Sequence, residues 1–164
     1  MAIQWGPIET FLQCDSPALL QDLNPPAEEK NLSVLQQTLS VDLPQDFLDF
    51  LRGHDGQKGE EDPLFGSYEF LSSSRILDAW EFLKGQSQSS STADEPVEAE
   101  KGVKSVWWDV RWVPFATNGS GDYMCLDMAP TDGGTTGQVI SVWHDDGARK
   151  IRDASFAAWV RQFF

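Results

Sequence analysis

At 164 residues the chain suits one domain, and folding it buries about 70% of the surface its unfolded form exposes. Seven Trp and ten Phe supply a core, so the excess of 26 Asp and Glu over 12 Lys and Arg belongs to the surface of a globular protein and not to a disordered chain. A formal net charge of -14 argues against nucleic acid and anionic membrane as partners, since both repel it, and favours a basic protein; an acid excess that only aids solubility is the plainer alternative.

The first stretch, MAIQWGPIETFLQCDSP, has no basic run leading into an apolar one, and no segment approaches the roughly 18 apolar residues of a membrane span. A cytoplasmic protein is expected. Cys14 and Cys125 are too few and too far apart for a disulfide framework, so both read as buried thiols.

From Asn24 the pattern becomes periodic. Pro25 and Pro26 suit a helix start, Glu28 and Glu29 place acid in its first turn, and Leu32, Leu35 and Leu39 share one face. Pro44 opens a second helix with Phe47, Phe50 and Leu51 as its apolar stripe and Gly53 placed to stop it. A short strand is expected around Tyr68 to Leu71. It is followed by a serine N-cap among Ser72 to Ser74 and a helix on Ile76, Leu77, Trp80 and Leu83 that ends at Gly85.

Gln86 to Glu100 contains no aromatic residue, one proline, a serine cluster and four acids without a base. It reads as an acidic, Ser-rich flexible loop, which we extend to 86–104, inserted within a single domain spanning 1–164. Beyond it come three strand-like stretches broken by Asn-Gly-Ser-Gly, Thr-Asp-Gly-Gly and Asp-Asp-Gly turns. A last helix carries Phe156, Trp159, Val160 and Phe163 on one face. Helices followed by consecutive hairpin strands predict an α+β fold with an antiparallel sheet.

The Gly-rich stretch TNGSGD, Thr117 to Asp122, leads into a strand. A phosphate loop and a serine nucleophile elbow both need a helix there. As a calcium loop begun at Asn118 it has Tyr123 where glycine is required and Ala129 where a bidentate Glu is required. A tight turn, with Asn118 to Gly121 supplying positive φ, accounts for it. His54 and His144, beside Asp55, Asp145 and Asp146, also stand in Gly-containing turns and have no ligand spacing, so no metal and no cofactor are expected. No carboxylate pair is marked out for catalysis. Trp107, Trp108 and Trp112 read as core before they read as a ligand groove.

The order LPQDFLDFLRGHDGQ, PLFGSYEFLSSSRILDAWEFL, VWWDVRWVPFATNGSGDYMCLDMAP, GTTGQVISVWHDDG and a final SFAAWV helix resembles the SUKH superfamily, in its Smi/Knr cell-wall regulator branch. The resemblance covers Leu32 to Phe164, and departs from many relatives in the length of the 86–100 segment. It implies an α+β fold, an antiparallel sheet flanked by helices, and binding without catalysis. Bacterial members look like immunity proteins against polymorphic toxins, whereas fungal members regulate cell-wall glucan synthesis. The compact chain fits the bacterial type, with a basic toxin domain as partner. A regulatory or scaffold module without a toxin is the alternative.

The family fixes no catalytic residue. Partner-binding candidates are therefore nominated by chemistry, as surface acids and aromatics: Asp55, Glu60, Glu61, Asp62, Trp108, Asp122, Tyr123, Asp127, Asp145 and Asp146. Each acid taken singly also fits a solvated surface charge.

Overall fold

Leu32, Leu35 and Leu39 fall on one buried face of a helix. A computed structural model describes residues 3–89 and 97–164. Helices α1 (Trp5–Asp15), α2 (Pro17–Asp22), α3 (Glu29–Leu39) and α4 (Gln45–Gly53) come first, then strand β1 (Glu69–Phe70) and helix α5 (Ser73–Ser89). Strands β2 (Glu98–Ala99), β3 (Trp112–Thr117), β4 (Tyr123–Asp127), β5 (Gln138–Val142) and β6 (Ala148–Asp153) lead to helix α6 (Phe156–Val160).

The strands form one sheet in the order β1-β3-β4-β5-β6-β2. All pairings are antiparallel except β2 on β6, which is parallel and makes the sheet mixed at that edge. The fold is α+β, as expected. Strands β3, β4 and β5 are buried almost without alternation, so both faces of the sheet centre are covered. On one face Phe115 meets Phe47 of α4 and Phe156 and Trp159 of α6, ring centroids 5.2 to 6.0 Å apart. Helix α5 packs against β3 and α3. Pro114 lies inside the sheet at a register shift between Pro114 and Ala116, where a residue without an N–H is tolerated.

The sequence reading assigned no element before Asn24, yet two helices stand there. Trp5 of α1 stacks on Phe50 at 4.2 Å and donates its indole N–H to the Phe50 carbonyl at 2.8 Å. Gly53, expected as a stop signal, is the last residue of α4. Its main role is steric, since a Cβ there would lie 1.9 Å from the Trp5 ring. Helix α5 does not end at Gly85 but runs on to Ser89. The stretch predicted as loop over 86–104 is thus helical at 86–89 and strand at 98–99, while 90–96 lies outside the described residues. Main-chain pairing overrides composition at Glu98 and Ala99, which align with Ala148 and Arg149 of β6.

GHDGQ, Gly53 to Gln57, proves to be the junction of the helical and sheet halves. His54 bonds the Asn24 carbonyl and the Glu9 carboxylate, both at 2.7 Å. Asp55 accepts from the Ser73 N–H at 2.7 Å and its hydroxyl at 2.9 Å, which ties down the start of α5. Gly56 has φ +71°, and a Cβ there would lie 2.3 Å from the Ser72 nitrogen. Gln57 is fully buried. Its carbonyl accepts from the Leu64 and Phe70 N–H groups at 2.9 Å, and its amide donates to Asp22 and to the Asp62 carbonyl.

Cys125 is buried in β4, and burial pushes its thiol well above the ordinary range. Cys14 departs from expectation: it is exposed, because α1 turns Trp5, Ile8 and Leu12 inward and leaves Cys14 on the solvent face. A disulfide reagent is expected to titrate one thiol per folded chain and the second only in denaturant. Two fast-reacting thiols in the native protein would contradict the placement of Cys125.

Candidate functional site: an aromatic pocket with an acidic rim

Pairing of Tyr123 with Val142 brings two turns together, Asn118 to Asp122 before β4 and Trp143 to Gly147 after β5. Positive φ is confined to Gly119 and Gly121, not spread over the whole Asn118 to Gly121 turn. The Asn118 side chain accepts from the Ser120 N–H at 2.9 Å and donates to Asp122 at 2.9 Å, an arrangement that locks the turn from within. Asp122 then accepts from both the main-chain N–H and the Nδ1 of His144, at 3.0 and 2.9 Å.

The two groups tune one another. Burial alone would raise Asp122, but the bonds from His144 and Asn118 outweigh it and hold the carboxyl below its ordinary range. His144 is raised, first by the bond to Asp122. A histidine raised on folding contributes stability that is complete below its unfolded value and is lost as pH climbs through the folded one. A depressed carboxyl does the reverse, losing its contribution as pH falls through its folded value. The tie therefore contributes fully between the two unfolded values and fades outside them, toward each folded value. In Asp122→Asn the titration midpoint of His144, followed by NMR, is expected to fall back toward that of a free imidazole. An unchanged midpoint would remove Asp122 as the cause.

Behind this rim lies a cavity of about 170 Å3, lined by Phe82 and Leu83 of α5, Trp107 and Trp108 of the segment before β3, Trp143 and Arg149. Arg149 is fully buried in a strand otherwise half exposed. It donates to the Trp107 carbonyl at 2.7 Å and the Asp146 carbonyl at 2.7 Å, and its guanidinium lies 4.8 Å from the centre of the Trp107 ring. Burial lowers its pKa. Carbonyl oxygens and an aromatic face thus take the place of a carboxylate, and Arg149 joins the Trp107 segment to the 143–147 turn.

The nominated residues separate into distinct groups. Asp122, Tyr123, Asp145 and Asp146 gather at or beside the two turns, with Asp145 and Asp146 exposed and Tyr123 half-buried in β4. Glu60, Glu61 and Asp62 are exposed on another loop, anchored where the Glu60 N–H meets the buried Asp22 at 3.0 Å. Three nominees are not free surface. Trp108 is buried in the cavity wall. Asp55 is engaged by Ser73. Asp127 is fully buried: it accepts from the Gln138 amide and the Ala129 N–H, each at 3.0 Å, because the turn after β4 needs an acceptor there. The half-buried Trp107 and Trp143 and the fully buried Arg149 were not nominated. A histidine, two aspartates and the cavity residues carry no local spacing that would have united them.

Asp122, His144 and Asp145 place one potential ligand atom each within 4.8 Å of one another, an assembly made only by the fold. The Asp122 oxygen nearest His144 already takes two N–H bonds there, so the cluster holds itself without an ion. Melting temperature is expected to be the same with and without chelator; a fall of several degrees would make a metal part of the structure.

Among the described residues no helix is long and apolar enough to cross a membrane. In comparisons with known proteins, a glucan synthesis regulatory protein of Neurospora crassa is 23% identical over an alignment of 196 positions. That alignment takes in 98% of this chain but only 37% of the relative. The sequence profile of the SMI1 / KNR4 family (SUKH-1) matches residues 26–162, a span that contains α3 through α6, the Gln57 junction, both turns and every residue of the pocket. With the fold and the site both inside that match, the chain belongs to the SMI1 / KNR4 family.

Proposed function

We propose that the chain is a non-enzymatic, cytoplasmic protein-binding module that recognises a basic partner through the face made by the 118–122 and 143–147 turns. The observation that carries this is the 143–147 turn: the exposed Asp145 and Asp146 follow directly on Trp143 and His144, which line an apolar cavity whose buried Arg149 is already satisfied by main-chain carbonyls. A net charge of -14 extends the same preference over the whole surface and speeds encounter with a basic protein.

Catalysis is disfavoured by how the carboxylates are used. The buried Asp22 and Asp127 and the half-buried Asp122 each accept two or more N–H groups and are spent on holding loops. Within the family, the acidic rim supports the immunity type, in which the face masks the cationic groove of a toxin such as a nuclease. The Neurospora relative supports a second reading, a regulator of cell-wall synthesis with no toxin.

Purification from the native cell with identification of the bound protein separates them. A stoichiometric basic domain that is toxic when expressed alone and harmless when this chain is co-expressed fits immunity. A non-toxic partner from cell-wall synthesis fits the regulator. Recovery of an acidic partner would overturn the proposal in both forms.

A further inference from the structure

We infer that the cavity at the end of α5 receives one large apolar side chain, aromatic or long aliphatic, flanked by Lys or Arg on the partner's chain. This rests on the protein-binding reading above and adds what the partner must present. Size is the first reason. An apolar cavity of about 150 Å3 is enough to hold a benzene-sized ring, and this one measures about 170 Å3. Its entrance is the second. Phe82 is 58% exposed, and Val106 and Val110, on the same segment as Trp107, are also exposed, so apolar surface continues from the cavity onto the rim. Buried aromatic anchors set in such pockets and ringed by polar contacts dominate binding energy at protein interfaces.

Charge decides what flanks the anchor. Arg149 is the cation nearest the cavity, yet it is fully buried with its guanidinium committed to the Trp107 and Asp146 carbonyls, so it offers little to an incoming anion. The Trp107 and Trp143 rings each already carry a guanidinium over one face, from Arg149 and Arg152, at 4.8 and 5.0 Å. Asp122 is taken up by Asn118 and His144, so the exposed Asp145 and Asp146, next in sequence to the cavity-lining His144, remain to meet incoming charge. Cationic residues on either side of the anchor therefore complete the contact.

Three blocked peptides test this directly: Gly-Lys-Lys-Phe-Lys-Lys-Gly, the same with Ala for Phe, and Gly-Glu-Glu-Phe-Glu-Glu-Gly. Binding is followed by NMR on the indole N–H signals of the tryptophans and the amides of 143–147. The Lys/Phe peptide is expected to move the Trp107 and Trp143 signals and to bind about tenfold tighter than the Lys/Ala peptide. The Glu/Phe peptide is expected to bind weakest. Phe82→Ala, at an exposed position, and Ser87→Phe, which fills the cavity from α5, should each erase the Phe preference while leaving the Lys/Ala affinity unchanged. Equal binding of the two lysine peptides would overturn the anchor and leave the basic-partner reading standing. Failure of both to move the 143–147 amides would overturn that reading as well. Preference for the Glu/Phe peptide would make the cavity an anion site on Arg149, against the inference.

Discussion

Gln57→Ala is expected to destabilise the protein by about 3–5 kcal/mol, lowering its melting temperature by about 6–15 °C, although Gln57 lies outside the two turns of the proposed partner face. The substitution leaves the Leu64 and Phe70 N–H groups without their acceptor and takes one donor from Asp22, all in buried surroundings. Each unsatisfied buried group costs about 1–3 kcal/mol, and partial relaxation keeps the total below the simple sum. An alanine at the exposed Gln37 is the comparison, expected to change stability by no more than about 0.5 kcal/mol. A Gln57→Ala protein that melts within about 2 °C of the parent would show that the GHDGQ junction is not what joins the two halves.

Reversal of Asp145 and Asp146 to Lys is expected to slow association with the co-purified partner by about tenfold or more at 0.1 M salt, with much less change in the dissociation rate. Both side chains are exposed, so their influence is long-range and fades as the Debye length shrinks from about 10 Å at 0.1 M to about 3 Å at 1 M. The two proteins should then associate at similar rates in 1 M salt. Asp146 also accepts from the Ala148 N–H at 2.9 Å, so the reversal costs about 1 kcal/mol of stability, visible as a small drop in melting temperature. Truncation of Tyr123, half-buried in β4, should by contrast raise the dissociation rate. Identical rates for parent and double reversal across that salt range would replace the electrostatic account with a mainly apolar interface.

Much of the fold was legible where periodicity was strong. Leu32, Leu35 and Leu39 mark α3, and Phe47, Phe50 and Leu51 mark α4, because each helix buries a narrow stripe, α3 toward α5 and α4 toward α6 and Phe115 of the sheet. Helix α1 escaped notice although Trp5, Ile8 and Leu12 have helical spacing, since Gly6, Pro7 and the exposed Phe11 blur the pattern. Strand β6 escaped for a different reason: Lys150 and Arg152 are exposed, and charge at alternate positions of a short stretch reads as loop.

The site was legible in its parts and not in its assembly. Asn-Gly-Ser-Gly and Asp-Asp-Gly read correctly as turns, but only the Tyr123 to Val142 register makes them neighbours. Asp127 ends its strand at the place where an acid is usually solvated, and nothing local announces that Gln138 and Ala129 will claim it. Arg149 has no sequence signal at all. Its burial follows from β2 pairing over it and from carbonyls of the 143–148 turn converging on the guanidinium.

Hydrogen exchange of the chain alone and in complex with its co-purified partner tests most directly whether this face is the interface. Slowed exchange is expected in 118–122, in 143–147 and in the Trp107 and Trp108 segment, with α1 to α3 unchanged. Protection confined to α1 to α3 or to the Glu60 to Asp62 loop, with the two turns exchanging as in the free protein, would contradict it.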